Sequence, residues 1–297
     1  MEFVGLSTIE FSTFIFNLKV LKMKVFLLIV WVCFSQIGHA KDKSLINFAP
    51  LPTHNSKTNI KQFLSMTNYL EDKLDIDINY IYKNSYTDIL QGFNNQTIDI
   101  AYLGPLPLVT LINKYADAEP IVVFKNKKSN SYQYRCVLAK FKKDTFDKNQ
   151  VLKVALTQPL STCGYFMTSK LLQDKFDIDL SQQKYHYAMS HSNALLAVLQ
   201  GEFLLAGAKE SVAKQYEALG MEIIARSELI PGFSLVVNKK TLSKHQIDAI
   251  RHALISISQE DIDSWEEESI SGMKAISAKD YESLNIGVDI PQQGNIK

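Results

Sequence analysis

Hydrophobic and polar positions along this chain switch repeatedly between a helical and a strand-like period. Ile60, Phe63, Leu64, Met66 and Leu70 recur at helical spacing and predict a helix over 60–74. Ile76, Ile78, Tyr80 and Tyr82 share one face of a period-two run, which predicts a strand over 76–82. Further strand-like runs occupy 45–49, 98–103, 121–124, 134–139, 151–156, 185–188, 203–206, 223–225 and 235–237. Between them lie helix-like runs at 86–93, 164–174, 193–200, 209–219 and 247–257, with another helix opening at Gly104-Pro105. The tail over 262–284 reads as helical and partly acidic, with Trp265 as its anchor. Such alternation predicts an α/β fold built on parallel sheets.

The strands fall into two sets joined by two short crossings, near 126–131 and 230–234, with the polar run 125–130 as a linker. Two α/β lobes with two crossings describe a hinged clamp whose cleft is built from loops at strand ends. Residues 41–128 with 234–297 are expected to form one lobe and 129–233 the other.

The first 40 residues follow a different pattern. An apolar run over 25–34 sits behind Lys22 and Lys24 and ahead of Ser35-Gln36-Ile37-Gly38-His39-Ala40. A positive start, a short apolar stretch and small residues before a cut describe an export leader cleaved after Ala40. The run is short for a spanning helix, which needs about 20 residues. The leader is expected to start at Met23, with 1–22 an upstream extension. Cys33 follows Val32 rather than a small residue, which argues against lipid attachment there. The mature protein is expected to be periplasmic and monomeric.

The formal net charge of +1 gives no basic stripe for nucleic acid. Beyond the leader two cysteines remain, Cys136 and Cys163. In an oxidising compartment they are either bridged or two separate thiols.

Candidate chemistry concentrates at Ser161-Thr162-Cys163-Gly164, between the strand-like run 151–156 and the helix-like run from Tyr165. A strand, a hydroxyl-rich turn and a helix start can make an anion site, because the first helical amides lack partners and the dipole is positive there. The same residues also read as a plain helix cap, the commoner role of Ser-Thr before a helix.

Other segments join this one. In order they are Asn84-Ser85-Tyr86-Thr87-Asp88-Ile89; Ile98-Asp99-Ile100-Ala101-Tyr102-Leu103-Gly104-Pro105; Tyr134-Arg135-Cys136-Val137-Leu138; Pro159-Leu160-Ser161-Thr162-Cys163-Gly164-Tyr165; Ser190-His191-Ser192-Asn193-Ala194; and Ile230-Pro231-Gly232. Together they resemble the periplasmic phosphate-, phosphite- and phosphonate-binding proteins of ABC transporters, from about Phe48 to the helix at 247–257. The resemblance implies the two-lobed type II periplasmic binding fold, a small oxyanion ligand, and a membrane permease and ATPase as partners. It implies that Tyr86 and Tyr134 offer hydroxyls from the two lobes, that Ser161, Thr162 and Cys163 donate at the helix start, and that His191 donates a ring N–H. It implies no cofactor and no metal. Asp99 and Gly104-Pro105 read as structural turn chemistry. Taken singly, Tyr86 and Tyr134 also read as half-buried packing residues, and His191 as a plain helix-start residue.

The chain departs from that family where Cys163, Cys136 and Leu204 stand. Members that hold an amino group use acids at the far end of the cleft. Here Phe233 follows Ile230-Pro231-Gly232, and Ser211 falls at the other position with Glu210 one residue earlier. A compact phosphate, phosphite or short alkylphosphonate is therefore expected, not an aminoalkylphosphonate.

Enzyme readings rank lower. Cys163 could be a low-pKa nucleophile with His191 as its base, but no Arg follows it as in a cysteine phosphatase loop. Cys136, Cys163 and His191 match no short zinc spacing. A ligand sensor reporting to a membrane partner is the alternative to a transport receptor.

Overall fold

In the first lobe, β1 (Ser44–Ala49) pairs in parallel with β2 (Ile76–Tyr80) on one side and β3 (Ile100–Leu103) on the other. The helices α1 (Ser56–Leu74) and α2 (Tyr86–Asn94) return the chain between these strands. After β3 come α3 (Pro105–Lys114) and β4 (Ala118–Asn126). Much later, β12 (Ser234–Asn238) inserts antiparallel between β3 and β4, and β13 (Ile270–Ala275) adds antiparallel at the far edge of β4. The strand order is β13-β4-β12-β3-β1-β2. The computed structural model describes residues 43–52, 56–265, 270–284 and 290–296, so the expected leader lies outside the described residues.

The second lobe contains β6 (Cys136–Phe141), β7 (Lys153–Leu156), β8 (Lys184–Tyr187), β9 (Leu205–Lys209) and β10 (Met221–Arg226), in the order β10-β6-β9-β7-β8. β7 runs parallel to β8 and β9, while β6 runs antiparallel to β9 and β10. The helices α4 (Tyr165–Phe176) and α5 (His191–Leu199) follow β7 and β8. Phe48, Phe63, Ile89 and Phe93 fill the first core, and a cluster of small residues around Ala155, Ala194, Ala206 and Ala208 lies under α5 in the second.

Both sheets are mixed, not parallel as the alternation predicts. The reason is topological. A strand that ends at the cleft points one way, and β12, β13 and β6, which start there, must run the other way. Between the lobes, β5 (Gln133–Tyr134) and β11 (Ile230–Pro231) pair antiparallel. The expected linker is shorter than 125–130, because β4 continues to Asn126, which bridges to Ser131. Tyr281, buried, donates from its hydroxyl to the Gly232 carbonyl at 3.2 Å and so pins the second crossing.

The tail departs most from expectation. After α7 (Lys244–Ser256), the described part of the tail is helical only at α8 (Gln259–Asp263) and in a 3-10 turn at Ala278–Tyr281, and β13 lies between them where helix was predicted. Pairing with β4 covers that strand's apolar edge and overrides the local pattern. Trp265 is buried all the same, tilted against Tyr69 at 6.3 Å. The run 209–219 is not one helix either. Lys209 ends β9, α6 (Glu210–Ala213) is a single turn, and Lys214–Leu219 is a 3-10 turn. Residues 290–296, expected with the first lobe, touch both lobes: Gln292 Oε1 accepts from the Thr87 hydroxyl of α2 at 3.4 Å, and the segment also runs along β8. There the Tyr187 hydroxyl donates to the Pro291 carbonyl at 2.6 Å, and the Tyr185 amide to Asn295 Oδ1 at 2.7 Å.

A disulfide joins Cys136 at the start of β6 to Cys163 in the turn before α4, with Cα atoms 5.1 Å apart. It fixes the beginning of α4 on the sheet. Gly207 in β9 permits the same approach, since a Cβ there would fall 1.8 Å from Thr168 Oγ1 and 2.9 Å from the Cys163 carbonyl oxygen. With a sequence separation of 27 between the cysteines, the bridge should contribute about 3–4 kcal/mol by constraining the unfolded chain. Urea unfolding of the oxidised protein and of a Cys136→Ser, Cys163→Ser variant should differ by that amount. Equal midpoints, or two free thiols titrated in denatured periplasmic protein, would contradict the pairing.

Candidate functional site

A cavity of about 880 Å³ opens between residues of the two sheets, and four helices begin on its wall. The strands β2, β3, β7 and β8 end near it, so α2, α3, α4 and α5 start there. Helix starts present unpaired amides and the positive end of the dipole. Two of the four are capped in the usual way. Ser85 Oγ accepts from the Asp88 amide at 3.1 Å ahead of α2, and Ser190 Oγ from the Asn193 amide at 3.1 Å ahead of α5. Tyr86 and His191 are therefore held as the first residues of capped helices.

The other two starts carry no side-chain cap. Gly104 precedes α3 and Gly164 precedes α4. The cap reading of Thr162 is corrected here: its hydroxyl does not serve its own helix but accepts from the Leu106 amide of α3, 3.0 Å away. An N-terminal amide of one lobe is thus met by a hydroxyl of the other. Gly164 lets the turn close, because a Cβ there would lie 2.6 Å from the Gln158 carbonyl oxygen. Gln158 also reaches across, donating from Nε2 to the Pro52 carbonyl at 3.0 Å.

All six residues singled out in the sequence, Tyr86, Tyr134, Ser161, Thr162, Cys163 and His191, line this one cavity. Burial pushes the Tyr86 and Tyr134 phenols up, for Tyr134 against the opposing pull of a side-chain hydrogen bond with Thr162. Both stay protonated and able to donate. His191 is lowered to about 4, first by burial and then by the charge of Lys209. Its Nδ1 takes the Lys209 amide proton at 3.2 Å. An amide N–H can only donate, so Nδ1 is the lone-pair nitrogen and Nε2 carries the ring proton. His191 is therefore a neutral ring whose donor is Nε2–H.

Cys163 differs from its expected role. Its sulfur belongs to the disulfide, which leaves only a backbone amide to offer a ligand. The same bridge removes both sulfurs as nucleophile or metal ligand. Among the described residues no group of three or more His, Cys, Asp or Glu is placed to hold a metal ion. Glu210 lines the cavity but is engaged by Arg226 at 2.9 Å and Lys214 at 3.4 Å. Phe233 stacks between Tyr102, at 5.4 Å, and Tyr134, at 5.9 Å.

Among the lining residues that the sequence reading does not assign to the site are Tyr102, Thr157 and Lys209. Thr157 follows β7, and its hydroxyl is buried without a hydrogen-bond partner among the described residues. Tyr102 was visible in its motif but read as strand. Lys209 was absorbed into a predicted helix, although strand ends are where such clefts gather their side chains.

A family model described as the phosphonate-binding periplasmic substrate-binding protein of ABC transporters matches residues 48–281. The chain belongs to this family, which binds substrate and is not an enzyme family. Over 235 residues it is 26% identical to the "Phosphonates-binding periplasmic protein" of Escherichia coli, covering 72% of this chain and 66% of that relative's length. A binding protein of an ABC phosphonate transporter from Pseudomonas aeruginosa superposes with a TM-score of 0.69 at 20% identity, covering 82% of this chain and 85% of that one. PhnD1 from Prochlorococcus marinus, solved with methylphosphonate, gives 0.68 at 14% identity over 81% of this chain and 96% of that one. The fold is accordingly that of the two-lobed periplasmic binding proteins.

The depressed pKa of His191 has a consequence for acid stability. Between about 4 in the folded state and the ordinary 6.5, the unfolded chain holds more protons. The stability due to this group is therefore complete above pH 6.5 and is lost as pH falls toward 4. Across that window the melting temperature of the parent should fall further than that of His191→Asn. Parallel pH profiles would mean that His191 is not held neutral.

Proposed function

We propose that this protein captures a small phosphorus oxyanion in the periplasm and delivers it to a membrane permease and its ATPase, acting as a monomer. Export through the leader ending at Ala40 belongs to the same reading. The observation that carries it is the meeting of four helix starts with neutral donors from both lobes at one cavity. Tyr86, Tyr134, Ser161, Thr162 and the Nε2–H of His191 supply those donors, with the Cys163 amide and the Thr157 hydroxyl beside them. A tetrahedral oxyanion accepts several short hydrogen bonds, and charge-assisted bonds contribute about 1.5–3 kcal/mol each. The methylphosphonate held by the Prochlorococcus protein supports the ligand class.

Closure of the lobes 41–128 with 234–297 against 129–233 would complete the site. On binding, the anion would take over the Leu106 amide and the Thr162 hydroxyl from each other. An amine on the ligand is disfavoured, because Glu210 is already ion-paired and Phe233 offers only a ring face. A buried ammonium without a carboxylate costs several kcal/mol.

Calorimetric titration of the unliganded protein with phosphate, phosphite, methylphosphonate and 2-aminoethylphosphonate tests the assignment. Thr162→Ala and Tyr134→Phe should each weaken the best of the first three by about 1.5–3 kcal/mol with little change in melting temperature. Unchanged affinity in both variants would remove these residues from the site. Tightest binding of the aminated compound would overturn the ligand class and point to Glu210 as its partner.

A further inference from the structure

Lys209 is the residue of the cleft that the oxyanion donors leave unexplained. It ends β9, so its side chain starts at the cleft. Its ammonium lies 4.9 Å from the centroid of the Tyr134 ring and 5.3 Å from that of Phe233. Among the described residues it makes no ion pair, while burial draws its pKa below the ordinary lysine value. The neighbouring carboxylate, Glu210, is taken by Arg226 and Lys214. Ring faces offer an ammonium a weak attraction compared with an anion. Tyr134 and Phe233 therefore hold this charge in place without neutralising it.

The position of the charge is informative. Tyr134 turns one feature to each group: its hydroxyl interacts with Thr162, and its ring face carries the ammonium. The ammonium also lies over Phe233, which contributes no donor, and Phe233 stacks on Tyr102. The cleft thus has a donor-rich end at the helix starts and an aromatic end with one cation. Among the other described lining residues, Lys125, Lys128 and Arg135 are cationic, while Glu210 is ion-paired with Lys214 and Arg226.

We infer that Lys209 is a specificity residue that reads a second anionic group on the ligand, so that phosphonates bearing a carboxylate are bound in preference to plain alkylphosphonates. This rests on the phosphorus-oxyanion reading of the helix-start end. The phosphonate occupies the hydroxyl and amide donors. The carboxylate reaches back along the Tyr134 ring to the ammonium and supplies the partner it lacks. No bond is made or broken.

The test is calorimetric titration of the oxidised protein, and of its Lys209→Met and Lys209→Arg variants, with methylphosphonate, propylphosphonate and phosphonoacetate. The parent should bind phosphonoacetate at least about tenfold tighter than propylphosphonate, the effect of one charge-assisted contact. Lys209→Met should bring the two within about threefold while methylphosphonate moves by less than about threefold, and Lys209→Arg should retain most of the preference. A parent that binds propylphosphonate as well as phosphonoacetate overturns the inference with no variant needed. So does a Lys209→Met variant that loses methylphosphonate and phosphonoacetate equally, since Lys209 would then serve the phosphoryl oxygens. If the parent takes none of the three compounds, nor phosphate or phosphite, the phosphorus-oxyanion reading itself falls, and this inference with it.

Discussion

The site depends on one directional constraint. β2, β3, β7 and β8 end on the cleft side, so the helices that follow them must begin there. Each helix start brings amides that its own turns cannot satisfy. Two starts spend theirs on serine caps, and two remain uncapped by side chains. The Leu106 amide at one uncapped start donates to the Thr162 hydroxyl ahead of the other. One lobe's donor is satisfied by the other lobe's hydroxyl, which also accounts for a threonine in the turn. On the reading proposed above, a ligand anion would compete for the same groups and has more acceptor sites to give.

That constraint explains why some of the architecture was legible and some was not. The β7–α4 junction could be read because an apolar run meets Ser161, Thr162 and Gly164 within a few residues. Tyr86 and His191 are legible only through the family resemblance of their segments, and in the structure each follows a capping serine. The mixed sheets were hidden, because period-two patterning reports which face is buried and carries no direction. β13 was hidden for a related reason: Ile270 and Met273 are spaced as a helix face would be, and only the open edge of β4 makes them strand. The disulfide needed a distance. Cys136 and Cys163 are 27 residues apart in sequence, and what brings them together is the packing of α4 onto β6 and β9.

Lys209 falls to a boundary error of a few residues, yet it brings a cation to the wall of the cleft. Gly207 interrupts the apolar run 203–206, so the strand appeared to stop early. In the structure the strand continues through it, because α4 presses so closely on that position that no larger residue fits. The packing that seats the helix start thus also carries the strand on to the lysine that faces the cleft.

The two ends of the cleft are then coupled through a single residue. The backbone amide of Lys209 fixes the His191 tautomer, and its ammonium helps keep that ring neutral. A second cation at His191 would cost Coulomb energy in a half-buried site and would turn a selective donor into a general anion trap. With the ring neutral, the Lys209 ammonium is the charge held against the Tyr134 and Phe233 rings, and directional hydrogen bonds come from the helix starts. Hydrogen bonds discriminate by geometry and number of acceptors, whereas a lone ammonium discriminates by sign. A ligand must satisfy both tests at a fixed separation, so the combination selects for the spacing of groups within the ligand as well as for their chemistry.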